Sequence, residues 1–127
     1  MVEYDREARV ATMVEAAQDA DTILRFDYVR YSDDNTYGTM YRRSIKNCVY
    51  EFCENGNKIG KAFENANPRL EWPRIRRMRK DLAHNYPTVS PEELRAFAEG
   101  VMRPSIRRLR RAEYPATDDS DHGGSEG

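Results

Sequence analysis

Apolar residues in this 127-residue chain recur at steps of three and four, and nowhere do they alternate at a step of two over a useful length. The first spacing gathers side chains on one face of a helix; the second would line one face of a strand. The pattern predicts an all-α chain. Val10, Met13, Val14, Ala17, Ala20, Ile23 and Leu24 form the stripe of a first long helix over 5–31. The stretch SDDNTYG (32–38) is a turn by composition, with Gly38 as breaker. Met40, Ile45, Cys48, Val49, Phe52, Ile59, Ala62 and Phe63 predict a second helix from about residue 39 to residue 65, in which Gly56 and Gly60 either weaken the helix or permit close helix contact.

The stretch NANPRLEWP (65–73) reads as a loop. Its Asn-Pro pair ends one helix, Trp72 anchors the next, and Pro73 suits a first helical turn. Ile75, Met78 and Leu82 mark a short third helix, which Pro87 stops by disfavouring helix at Tyr86. Ser90 then makes an N-cap, with Pro91 at the first helical position and Glu93 completing a capping box. Leu94, Phe97, Val101, Ile106 and Leu109 carry the last helix, with a kink expected before Pro104. Four helices on short connections predict an antiparallel up-and-down four-helix bundle over 1–115, with room for a short extra helix. Residues 116–127 (ATDDSDHGGSEG) read as a disordered acidic tail.

Hydrophobic residues make up 39% and charged residues 34%, so the core is thin and burial at a subunit interface would help it. No run approaches the roughly 20 apolar residues of a membrane span. The opening MVEYDREARV lacks a signal-peptide pattern, so a cytoplasmic chain without a membrane partner is expected. Cys48 and Cys53 stand five apart with no histidine or cysteine cluster around them, which predicts small buried hydrophobes and no metal or cofactor.

A net charge of −1 conceals an asymmetry. RIRRMRK (74–80) holds five basic residues in seven, and RPSIRRLRR (103–111) five in nine. The tail has four acids and no Lys or Arg; setting them apart leaves 21 basic residues against 18 acidic ones, a net +3. Two arginine-rich runs in a small domain suit a solvated helix face or a nucleic-acid surface.

Between these runs lies RKDLAHNYP (79–87). An arginine offers planar donors matched to phosphate oxygens, and a histidine moves a proton near neutrality. Together Arg79 and His84 suit metal-free RNA cleavage, the histidine handling a proton and the arginine the charge growing on phosphorus. Tyr86 can hydrogen-bond a phosphate, stack on a base or take a modification. On an ideal helix Arg79 and His84 stand about 140° apart around the axis and about 7.5 Å along it. A fraying last turn before Pro87 is expected to bring them to one cleft. In-line cleavage uses an acid and a base, yet residues 1–115 hold one histidine, so a two-fold dimer facing two copies of the motif is expected. The plainer alternative is a histidine at a helix C-terminus interacting with the terminal carbonyls.

RKDLAHNY fits R-x4-H-x-Y and resembles the HepT-like branch of the HEPN superfamily, the toxin half of MNT–HEPN toxin–antitoxin modules. NKIGKAFEN (57–65), EWPRIRRMR (71–79) and YPTVSPEELRAF (86–97) resemble that branch in order and spacing, over most of residues 5–111. The resemblance implies a homodimer with its motifs in the dimer cleft and metal-independent endoribonuclease activity on tRNA or mRNA, without a cofactor. It also implies a nucleotidyltransferase antitoxin of the MNT type that AMPylates Tyr86, a type VII-like system. In that scheme Arg79 positions the scissile phosphate and His84 transfers protons, while Arg74, Arg76, Arg77 and Lys80 contact RNA. The family usually follows its arginine with Asn or Asp, where this chain has Lys80. That departure favours a second reading, a non-catalytic helical protein binding RNA or the nucleotidyltransferase.

Overall fold

The computed structural model describes residues 2–26, 28–85 and 88–116, and these are helical with no strand among them. Tyr86, on which the modification expectation rests, Pro87, and residues 117–127 of the acidic tail lie outside the described residues. Helices run in the order α1 (Val2–Phe26), α2 (Tyr28–Tyr31), α3 (Thr36–Lys58), α4 (Lys61–Ala66), α5 (Trp72–Asn85), α6 (Pro91–Phe97) and α7 (Arg103–Arg110), with a π-helical turn, Ala98–Met102, joining the last two.

The long helix α1 lies against α3 and α7, and α3 also packs on α5 and α6. Its buried face is built from Val10, Met13, Ala16, Ala17, Ala20 and Leu24. Three alanines in that stripe let the facing backbone approach closely. Helix α3 supplies Ile45, Val49, Phe52 and Cys53 to the centre, all fully buried. Phe52 meets Phe97 edge-on at 6.2 Å, which ties α3 to α6.

Gly38 has a different role from the breaker expected of it: it lies buried inside the first turn of α3. A Cβ there would stand 1.9 Å from the Asp33 carbonyl oxygen and 2.9 Å from that of Arg30. Only a glycine lets the α2–α3 turn cross so near. Asn35 caps the helix, its Oδ1 accepting from the Gly38 amide at 2.9 Å.

The two other glycines of the predicted second helix divide the roles foreseen for them. Gly56 permits contact, since a Cβ would meet Ile75 Cγ2 at 3.0 Å and Met13 Cε at 3.1 Å. Gly60 breaks the helix, adopting φ 105°, a left-handed conformation costly for any other residue. The predicted single helix is therefore two.

Asn67 organises the segment between α4 and α5. Its Nδ2 donates to the Phe63 and Glu113 carbonyls, its Oδ1 accepts from the Glu113 amide, and its carbonyl accepts from Trp72 Nε1, each at 2.9 Å. This buried side chain fastens residues 113–115 beside the start of α5. Tyr114 then rests on Phe63, ring centroids 5.4 Å apart.

The capping box opens α6 as expected: Ser90 Oγ accepts from the Glu93 amide at 3.1 Å, and Glu93 Oε1 from the Ser90 amide at 3.0 Å. At Pro104 the structure differs from a simple kink. Proline lacks the amide a helix needs and its ring crowds the carbonyl four residues back. The wider π-turn immediately before it takes up both, with the Arg103 amide donating to the Ala98 carbonyl, five residues away.

Candidate functional site: two basic surfaces

Helix α5 carries the R-x4-H pair, and it runs as helix through His84 to Asn85. His84 is in the last turn, as expected, but that turn is helical. The pair therefore keeps the separation of about 140° around the axis. The wheel is fixed by the core: Trp72, Ile75 and Leu82 are buried, and His84 and Lys80 point to the opposite, exposed side. Arg77, Lys80 and His84, at steps of three and four, share that outer stripe. Arg79 instead flanks the core, about a third exposed, against α3.

Pairing divides the basic run further. Arg74 Nη1 lies 3.2 Å from Glu71 Oε1, Arg76 Nη1 2.7 Å from Glu64 Oε1 on α4, and Arg79 Nε 3.2 Å from Glu54 Oε1 on α3. Among the described residues, Arg77 and Lys80 have no carboxylate partner, and His84 makes no hydrogen bond. Glu54 also receives Lys58 Nζ at 2.9 Å. That lysine hydrogen bond, and after it the one from Arg79, outweighs partial burial and holds the Glu54 carboxyl below its ordinary value. A phosphate approaching Arg79 must compete with a carboxylate that stays ionised.

The second run behaves differently. Arg103 pairs with Asp21 of α1. Arg107, Arg108, Arg110 and Arg111 are exposed, and none meets a carboxylate among the described residues. Arg107, Arg108 and Arg111 join Arg69 and Glu113 around a cleft of about 580 Å³ between α7 and the loop 66–70. Arg69, Arg107, Arg108 and Arg111 were absent from the residues singled out in the sequence, although their run was conspicuous. A signal was present: no acidic residue stands between Glu99 and Glu113, whereas Glu71 sits within a helical turn of Arg74.

The cysteines are free thiols, Cys53 buried and Cys48 half-buried. Burial pushes Cys48 up to about 11 and Cys53 higher still, so neither is a thiolate nucleophile near neutrality. Tyr31, whose hydroxyl donates to the Pro91 carbonyl at 2.7 Å, is pushed up to about 12 by burial. These groups are structural. Among the described residues no group of three His, Cys, Asp or Glu side chains is placed to hold a metal ion, and no helix is long and apolar enough to cross a membrane.

The site thus offers an exposed imidazole beside two uncommitted cations, an arginine held by a glutamate, and a separate arginine cleft. Comparison with protein-family models, curated proteins and solved structures gives no match to this chain.

Proposed function

We propose that this chain is a HepT-like HEPN toxin, an antiparallel up-and-down helical bundle that dimerises and cleaves RNA without a metal ion. The observation that carries the reading is the outer stripe of α5, where His84 stands in the open with Lys80 one turn away and Arg77 two turns away. An exposed imidazole among cations without carboxylates is suited to a phosphodiester, which the cations draw in and the imidazole serves.

The chemistry needs two imidazoles. One takes the proton of the 2′-hydroxyl as its oxygen bonds to phosphorus. The other, protonated, gives its proton to the 5′-oxygen as the P–O5′ bond breaks, leaving a 2′,3′-cyclic phosphate and a free 5′-hydroxyl. A two-fold axis supplies the second from a second copy of His84. Large exposed apolar side chains support such a dimer and suggest its seat: Tyr37, Met40 and Tyr50 all lie on α3, the helix that also bears Glu54. Within this reading Lys80 and Arg77 bind the phosphates beside the scissile bond, and Arg79 joins them when RNA competes Glu54 away. A nucleotidyltransferase antitoxin AMPylating Tyr86 would add charge next to His84 and repel RNA.

The test is cleavage of tRNA and mRNA in EDTA by purified dimer. His84→Ala is expected to lower the rate by about 100-fold or more with the dimer intact; full activity in that variant would refute the assignment. The engagement of Arg79 by Glu54 favours a second reading, a non-catalytic partner that binds RNA or the nucleotidyltransferase. RNA binding by unmodified protein with strict absence of cleavage would decide for it.

A further inference from the structure

We propose that the cleft between α7 and the loop 66–70 binds the phosphodiester backbone of a single RNA strand through Arg69, Arg107, Arg108 and Arg111, as a site separate from the His84 stripe. The choice of RNA as the polyanion rests on the reading above; the anion site itself rests on the cleft.

The cleft is built for an anion in three respects. Four guanidinium-bearing residues line it against one carboxylate, that of Glu113. Elsewhere the fold neutralises its arginines: Arg9, Arg25, Arg74, Arg76, Arg79 and Arg103 each meet an Asp or Glu. Leaving four together unneutralised costs electrostatic energy that a bound polyanion removes.

The walls are also held in place before any ligand arrives. Arg108 Nη1 donates to the Arg69 carbonyl at 3.1 Å, fastening the loop to α7. Asn67 clamps the backbone of Glu113 from below with two hydrogen bonds of 2.9 Å. A preformed site loses less freedom on binding.

Shape and spacing point to a strand. A concave cleft of about 580 Å³ admits a chain and excludes a flat bilayer. Arg107 and Arg111 lie one helical turn apart, with Cβ atoms about 6 Å from each other, close to the spacing of successive phosphates on a single strand. The planar guanidinium forks match phosphate oxygens and stack on exposed bases as well.

The cleft adjoins the start of α5, and His84 sits near its end. Fifteen residues separate Arg69 from His84, about 20 Å along the helix axis. The two sites are therefore too far apart to share one phosphate, and the cleft contributes grip without chemistry.

The experiment measures binding of a 5′-labelled, 2′-O-methyl oligouridylate, which cannot be cleaved, by fluorescence anisotropy in EDTA over a range of salt concentrations. R107Q/R108Q/R111Q is expected to bind about tenfold or more weakly at low salt. Its plot of log affinity against log salt should be shallower by about two units, at roughly 0.7 per lost contact on a single strand. An unchanged affinity and slope would overturn the proposal. So would an oligoglutamate peptide that binds as tightly as the RNA and loses as much affinity in the variant. Circular dichroism reports whether the triple variant folds; if it does not, the single R107E variant is measured with the same expectations. Because the probe is inert, the two readings separate. Wild-type protein that fails to cleave natural RNA but shows the slope change keeps the cleft and loses the ribonuclease. Cleavage with an unchanged slope does the reverse.

Discussion

Glu54 is the residue whose removal speaks most directly to what Arg79 is for. Replacing it by Gln keeps the shape and removes the charge that holds Arg79 at 3.2 Å and Lys58 at 2.9 Å. The side chains of Arg79 and Lys58 are 36% and 50% exposed, so each pair is worth about 0.2–1 kcal/mol rather than a buried-pair value. Glu54→Gln should therefore cost about 1 kcal/mol of stability, a fall in Tm of about 4 °C for a chain of this size. RNA binding should move in the opposite direction. An arginine released from its carboxylate gains up to about 1 kcal/mol toward phosphate, which is up to about fivefold in affinity at low salt.

The loss of stability has a pH signature. A carboxyl held below its ordinary value contributes stability above the unfolded value of about 4.3 and loses it as pH falls through the lower folded value. Wild type and Glu54→Gln should differ at neutral pH and converge below about pH 4. Thermal melts between pH 3 and 7, with anisotropy on an uncleavable oligonucleotide, measure both effects. If Glu54→Gln binds RNA no better than wild type at any salt concentration, Arg79 is a structural ion-pair partner and the role given to it in the cleft is wrong.

Gly38→Ala should cost about 2–4 kcal/mol in chemical denaturation: a Cβ 1.9 Å from the Asp33 carbonyl oxygen displaces the turn that Arg42 Nη1 holds through the Tyr31 and Asp33 carbonyls at 2.8 and 2.9 Å, against about 1 kcal/mol returned by helix propensity. Met40→Glu with Tyr50→Glu should give a folded monomer by light scattering; a dimer that persists would place the interface elsewhere than α3. Ser90→Ala removes the cap of α6 and should cost about 1 kcal/mol.

Much of the helical content was legible because helices are coded locally. The stripe from Val10 to Leu24, the capping box at Ser90 and Glu93, and the start of α5 at Trp72 and Pro73 depend on neighbours within four residues. Features that depend on distant chain were not legible. Gly38 looks like a breaker until the turn at Asp33 is seen to cross it, and Asn67 looks like a loop residue until Glu113 arrives 46 positions later. The same division runs through the candidate site. Residue types and spacing drew attention to Arg79 and His84, but which cations are free is decided by acids on other helices, Glu54 on α3 and Glu64 on α4. A run of five basic residues on α5 thereby leaves Arg77 and Lys80 uncommitted, while the run on α7 leaves four.

The π-turn between α6 and α7 has a consequence for how this chain tolerates insertion and deletion. Five residues close a turn where an α-helix uses fewer, so the segment Ala98–Met102 stores one residue beyond the regular count. Gly100 is exposed, and a Cβ on it would meet nothing within 4 Å. Deleting that glycine would let the turn relax to ordinary helix with Phe97 and Leu109 still facing inward. Deleting a residue within Arg103–Arg110 has no such reserve, and would swing every arginine beyond it by about 100°. Length variation in this helix is thus harmless at one place and ruinous to the basic face a few residues later.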